Sequence, residues 1–292
     1  GDEIKQTEFI VDIAKSDLTQ FGEVINNLQQ KRIINKVGKF ARVVPKPLAI
    51  HLASMWWESQ IYNEREKLIT TIPENLLGSF CTQIKYLDKS EKVQEFVEKL
   101  CEVCSPFGKA EYLLSVKGSR LFRALVEVNP NATSDLIYRI FKQLSDQDIL
   151  DINSDARRSF VWALEMLVFH KSCFNKSAWC LFKLAQLENE NFGNNATGQF
   201  TQLFRWQLSG AGGDFKQRLL LLNKILEQQV ESADIIVIES INSAISTYGG
   251  TRMIGAEYQG TKELKEWQPK IWDEIFDYWQ DLLNILEQLS EK

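Results

Sequence analysis

Between residues 21 and 57 the hydrophobic period changes three times, and no other stretch restricts the possible folds so tightly. Phe21, Val24, Ile25 and Leu28 recur at helical spacing. Two short β-branched or aromatic runs follow, at 33–34 and 40–44, separated by the turn pair Val37-Gly38. Leu48, Leu52, Met55 and Trp56 then restore the helical period. The order is helix, β-hairpin, helix.

A helix feeding a two-stranded ribbon is the pattern of a winged-helix unit, which we assign to residues 1–58. From 59 to 292 the pattern is helix after helix, in segments of about 12 to 20 residues punctuated by Pro, Gly, Asn and Asp. Pro73 opens a helix carrying Leu76, Leu77, Phe80 and Ile84, and Ser90 caps one carrying Val93, Phe96, Val97 and Leu100. Asn129-Pro130 marks a tight junction between two more. Further helices are expected from about Asp155, around Ala178–Ala185, near 199–208, 216–230 and 233–248, and from Pro269 onward, where Ile271, Ile275, Trp279, Leu282 and Leu286 align. No strand beyond the first hairpin is expected. Short connections force neighbouring helices to pack, so the fold class is mainly α: a small winged-helix unit followed by an irregular HEAT-like α-solenoid without a fixed-period consensus.

Composition narrows the function classes. The 292 residues are 44% hydrophobic and 25% charged, which is ample material for a core. A net charge of −5 and a pI near 5.4 argue against a nucleic-acid partner, because phosphate-backbone binders carry a clustered basic surface. No apolar stretch approaches the roughly 18 residues needed to span a bilayer and no signal segment opens the chain, so a cytoplasmic protein without membrane contact is expected. Gly1 stands where an initiator Met would be, and the chain starts inside an incomplete unit, as an excised piece of a longer protein would. The N-x-[ST] matches at Asn131, Asn175 and Asn195 carry no weight without a secretion signal.

The five cysteines, Cys81, Cys101, Cys104, Cys173 and Cys180, lie mostly at apolar helical positions and read as reduced core thiols. Cys101-Glu-Val-Cys104 together with His170 and Cys173 has the donor types of a tetrahedral zinc set. A lone CxxC inside an amphipathic helix reads instead as packing, and no metal is expected. Phosphate-loop, dinucleotide, nucleophile-elbow and HExxH motifs are all missing, and His51 and His170 are the only near-neutral bases. The carboxylate pairs Glu64/Glu66 and Asp146/Asp148 sit in polar stretches and read as solvated turns. No catalytic residue and no cofactor is assigned.

Candidate interaction residues come from aromatic density and from two loops. Trp162, Trp179, Trp206, Trp272 and Trp279 lie in or beside apolar stripes and are expected in the core. In Trp56-Trp57 the two rings point about 100° apart, so one is free to dock a neighbouring domain. The Asn- and Gly-rich run 188–198 contains Asn194, Asn195 and Thr197, and the Gly-rich run 248–260 contains Arg252 and Glu257. Both runs have the composition of ligand loops. Helix capping by Asn195 or Thr197, and charged hydrogen bonds of Arg252 and Glu257 across a kinked connection, account for the same residues structurally.

The run ARVVPKPLAIHLA at 41–53, after a helix and wing, resembles the winged-helix segment that follows the nucleotide-binding core in bacterial STAND NTPases. RRSFVWALE at 157–165, NNATGQF at 194–200 and IGAEYQG at 254–260 are similar to the helical region of large antiphage-defence STAND proteins. This resemblance implies an upstream P-loop ATPase domain that would hold ATP and Mg²⁺, an effector domain before it, and a downstream repeat array that senses a viral protein. The chain itself would then be the coupling section, with adjacent domains of the same protein as its partners. In some relatives a winged-helix His senses the nucleotide phosphate. His51 does not match that signature and is expected to pack toward the next helix. Two other classes remain open: a DNA-binding regulator, with residues 21–32 as recognition helix and Lys36, Lys39 and Arg42 in the wing, and a freestanding HEAT-like adaptor.

Overall fold

The structure is a computed structural model that describes residues 2–38, 40–247 and 258–291. It is mainly helical, with two small antiparallel hairpins among the described residues. The N-terminal part runs α1 (Asp2–Ile13), α2 (Leu18–Gln30), β1 (Ile34–Val37), β2 (Phe40–Val43) and α3 (Lys46–Ser59). Next come α4 (Tyr62–Thr71), α5 (Glu74–Ile84), a 3₁₀ turn at Lys85–Leu87, α6 (Glu91–Leu100), α7 (Ala110–Leu113), α8 (Val116–Val126) and α9 (Pro130–Phe141). The remainder is α10 (Asp146–Leu150), α11 (Ser154–Leu167), α12 (Phe174–Gln186), α13 (Ala196–Gln202), α14 (Phe215–Leu226), α15 (Glu231–Ile245), β3 (Tyr258–Gln259), β4 (Lys262–Glu263) and α16 (Trp272–Ser290).

The first hairpin follows the sequence signal: β1 pairs with β2 in the register Ile34↔Val43 and Val37↔Phe40, and Gly38 takes the left-handed φ of +59° in the turn. Beyond it, helices pack in two rows. In one, α5 meets α8 and α8 meets α11; in the other, α6 meets α9 and α9 meets α12. The apolar faces drawn from the sequence for α6, α8, α9, α11 and α12 are buried at these contacts. Leu121, Phe122 and Leu125 of α8, Leu136 and Ile137 of α9, Phe160 and Leu164 of α11, and Leu181 of α12 are fully inaccessible. Phe160 lies within 5.8 Å and 5.9 Å of Phe122 and Phe141, edge-on, so the two rows share one aromatic centre.

Polar caps set the helix boundaries. Ser115 accepts from Gly118 N at the start of α8, Asn129 from Ala132 N at α9, and Asn153 from Asp155 N at α11. Capping boxes open α10 (Ser145/Asp148) and α14 (Asp214/Gln217). Ser90 occupies the N-cap position of α6 as expected, but its side chain makes no cap bond and its buried Oγ has no hydrogen-bond partner among the described residues.

Several expectations require correction. A second hairpin exists where no strand was expected; its strands are two residues each, too short to leave a periodic signal. The terminal helix begins at Trp272 rather than Pro269, because Ile271 takes the extended N-cap conformation. The helix expected near 199–208 is shorter and earlier, fixed by the Asn195 cap. Trp272 is 59% exposed rather than core, and Trp162, Trp179, Trp206 and Trp279 are half-buried. The Cys101–Cys104 pair straddles the end of α6, with Cys101 buried and Cys104 exposed in the following turn. His51 is exposed on α3 and does not pack toward the next helix.

Candidate interaction surfaces

The 188–198 loop is a structural knot organised from inside. Asn195 Oδ1 accepts from Gly198 N at 2.9 Å, and its Nδ2 donates to Glu190 O at 2.8 Å. Thr197 N donates to Glu188 Oε2 at 3.0 Å, while Glu188 Oε1 accepts from the backbone of Asn189 and Glu190. Asn194 is half-buried beside them. Under the loop lies Arg157 of α11, with no exposed surface. Its Nη2 donates to Leu184 O at 2.6 Å and Leu187 O at 2.8 Å, and Glu188 stands 3.6 Å away. Leu184 and Leu187 carry carbonyls left open at the end of α12, so the guanidinium caps that helix where its dipole favours a cation. Burial pulls the Arg157 pKa down, and Glu188 opposes the shift. Glu188 thus links the loop to a buried cation. The side chains of Asn195 and Thr197, which looked like ligand donors, are spent on the chain itself.

Arg252 and Glu257 lie outside the described residues. The connection they belong to is anchored just downstream at two stations. At the first, Gly260 N donates to Glu127 Oε2 at 2.8 Å, and Thr261 N and Oγ1 donate to the carboxylate of fully buried Asp88 at 3.1–3.2 Å. Gly260 has φ +58°, and a Cβ there would stand 2.5 Å from Lys85 O, so both backbone and space demand glycine. At the second, Glu266 accepts from Leu208 N and Gly210 N, and Trp267 N donates to Ala211 O at 2.8 Å.

Beneath Trp267 sits a second buried cation, Arg218 of α14. It donates to Gly213 O at 2.9 Å, Arg205 O at 2.6 Å and Ser209 Oγ at 3.1 Å, and its guanidinium lies 5.5 Å from the Phe215 ring centre and 5.7 Å from that of Trp267. Sequence reading missed Arg157 and Arg218 as organisers, and Asp88, Glu127 and Glu266 as anchors. The available signal was the run Gly210-Ala-Gly-Gly213, where backbone passes so close to Phe174 that a Cβ on Gly213 would meet the ring at 2.5 Å.

The helix–hairpin–helix unit behaves differently. Amphipathic α2 buries none of its residues: Phe21, Ile25 and Leu28 are half-buried, Val24 is exposed and Leu18 is 55% exposed. On α3, Leu52 and Met55 are also exposed, and His51 shares their outer face. The other side of α3 is anchored. Trp57 is buried with its ring 5.1 Å from Phe96 of α6, and half-buried Trp56 packs edge-on against Trp57 at 5.7 Å. The hairpin register pairs Asn35 with Arg42 and Lys36 with Ala41, so Lys36 and Arg42 emerge on opposite faces of the ribbon.

No three His, Cys, Asp or Glu side chains gather to hold a metal among the described residues. Burial pushes the Cys101 thiol up to about 12 and Cys81 to about 11, which keeps both protonated at neutral pH. The carboxylate pairs lie in helices rather than in turns: Glu64 of α4 stands 3.6 Å from Lys15, and Asp148 belongs to the α10 capping box. No helix among the described residues is long and apolar enough to cross a membrane.

Two concavities stand out. One, of about 340 Å³, is lined by Lys85, Arg120, Arg123 and Glu127, where Glu127 is engaged by Lys85 and Gly260. The other, of about 480 Å³, lies between α14 and α16 beside Trp267. Comparison with known proteins returns no match: no family model, no curated protein and no solved structure aligns with the chain.

Proposed function

We propose that the chain is a non-catalytic coupling and protein-interaction segment of a larger STAND-type ATPase, linking nucleotide state to the sensing of a viral protein. The observation that carries this reading is the incompletely covered apolar face of α2, together with Leu52 and Met55 exposed on α3. A helix with a strongly one-sided apolar stripe and no buried residue is completed by another body. In the STAND arrangement that body is the nucleotide-binding core preceding a winged helix. The opposite side of α3, fixed through Trp57 to α6, ties the same unit to a HEAT-like arm of stacked helix pairs. A displacement of the arm by captured target would therefore reach the winged unit through α3 and through the ion pairs that join α4 to α1 and the turn after it.

Titration calorimetry of the chain with MgATP tests the non-catalytic half of the proposal. No heat of binding is expected, and stoichiometric binding overturns it. The coupling half predicts a strand–GxxxxGK[ST]–helix in the reading frame preceding residue 1, whereas a start codon adjacent to residue 1 would make the chain a freestanding adaptor. The split of Lys36 and Arg42 across the ribbon disfavours the DNA-binding regulator. Salt-sensitive retardation of duplex DNA, lost on Lys36→Glu with Lys39→Glu, would restore that reading.

A further inference from the structure

The groove between α14 and α16 combines a rigid apolar floor with an acidic wall. Phe215 and Tyr278 stack with ring centres 3.9 Å apart and planes 4° from parallel, and Trp267 closes on Phe215 edge-on at 4.7 Å. Tyr278 Oη donates to Phe204 O at 2.9 Å, which fixes the ring from below. Leu219 and Leu220 extend this floor outward, with Leu220 57% exposed. The result is a preformed concavity of about 480 Å³ open to the surface.

Its wall is one-signed. Glu274, Asp277 and Asp281 of α16 line one side, and Asp214 stands at the head of α14. Two of the four are engaged: Asp214 caps α14 and pairs with Lys171 at 2.8 Å, and Glu274 accepts from Lys270 N at 2.8 Å. Asp277 and Asp281, one helical turn apart, form no ion pair among the described residues. Helix α16 carries Asp273, Glu274, Asp277, Asp281 and Glu287 and no Lys or Arg between 272 and 290. Lys216 is the one cation lining the groove.

We infer that this groove docks a basic amphipathic helical segment of a partner protein, one that lays aliphatic side chains on the Phe215–Leu220 floor and sets Lys or Arg beside Asp277 and Asp281. Charge complementarity selects this occupant. A second copy presenting its own α16 would bring carboxylates against carboxylates, and an anionic lipid surface would be repelled. A bare polyamine would satisfy the carboxylates but leave the apolar floor wet. The site lies at the opposite end of the chain from α2 and stands independently of the coupling proposal.

The test uses the chain as it is, with an 18-residue helical peptide of Leu and Lys at heptad spacing as probe. Controls are the same pattern with Glu for Lys, and spermidine. The Leu/Lys peptide is expected to bind, to protect amides of residues 214–223 and 272–283 from hydrogen exchange, and to weaken steeply with salt. Asp277→Asn with Asp281→Asn should weaken it about fivefold, and Leu220→Ser about tenfold. Asp277→Lys with Asp281→Lys should transfer preference to the Leu/Glu peptide, a gain that misfolding would not produce. Protection elsewhere, affinity unchanged in these variants, or spermidine binding as tightly as the peptide would each overturn the inference.

Discussion

Two fully buried arginines, Arg157 and Arg218, satisfy backbone carbonyls inside the helical array. Arg157 satisfies carbonyls at the end of α12, and Arg218 satisfies the turns around Arg205, Ser209 and Gly213. An apolar replacement leaves those acceptors buried and Glu188 without its cation, so Arg157→Met is expected to cost about 3 kcal/mol or more in urea unfolding. Arg157→Lys should recover only part of this, since one ammonium can take the place of Nη2 at Leu184 O and Leu187 O but leaves Ile149 O without the Nη1 donor. A loss within about 0.5 kcal/mol would show that the knot is not stabilised by Arg157. Neither role was legible in sequence. An arginine at helical spacing among apolar residues reads like any surface cation until the carbonyls around it are placed. Cysteine, by contrast, was legible, because apolar helical neighbours at Cys173 and Cys180 already imply burial. Thiol titration of the folded chain should modify Cys104 first and leave Cys101, Cys173 and Cys180 untouched until unfolding. Early reaction at Cys180 would contradict its complete burial.

At the scale of elements, residues 258–271 ahead of α16 are tied to the array by hydrogen bonds at two stations although their only regular structure is a two-residue-strand hairpin. Its turn reaches back across 173 residues of sequence to Asp88, a contact that no local pattern encodes. Thr261→Val removes the Oγ1 bonds and leaves Asp88 with the Thr261 N–H alone. We expect a loss of about 1 to 2 kcal/mol, with hydrogen exchange accelerating first at residues 258–263. Gly260→Ala should do at least as much damage through backbone strain and the approach to Lys85 O. Unchanged exchange in both variants would mean that the first station does not hold the connection. The two hairpins show why one was readable and the other was not. Four-residue strands around Val37-Gly38 alternate long enough to register, whereas Tyr258–Gln259 and Lys262–Glu263 are defined by what the turn between them docks onto. Helix starts were legible at Pro73 and Asn129-Pro130, but not at Asn195, whose helix was expected to start near 199. Ser90 shows the limit, since the residue type was right and the bond is not made.

Across the whole molecule, burial is unevenly spread, and this bears on the coupling proposal. The contiguous core runs from Trp57 to Ile285, while upstream of Trp57 only Val11 and Ile34 are buried hydrophobics among the described residues. Local stability follows buried apolar contact, so the chain is expected to open from its N-terminal end at free energies well below that of global unfolding. Native-state hydrogen exchange should place α2 and β1–β2 in the least protected class and α8, α11 and α12 in the most protected. The link between the two regions runs through α3 and through α1. Trp57 on Phe96 and Lys46 over Tyr86 fix α3 to the array, while α1 and the turn after it meet α4 through the exposed ion pairs Lys67–Asp12 at 3.3 Å and Lys15–Glu64 at 3.6 Å. Trp57→Ala should therefore lower protection in residues 18–59 further, with a cost of about 3 kcal/mol from the cavity, while α11 and α12 keep theirs until global unfolding. Uniform protection from α2 through α12 would show one cooperative body and remove the reason to regard the first unit as separately movable. A gradient is what a coupling element needs, because a unit that exchanges partners must be held by less energy than the arm that carries it.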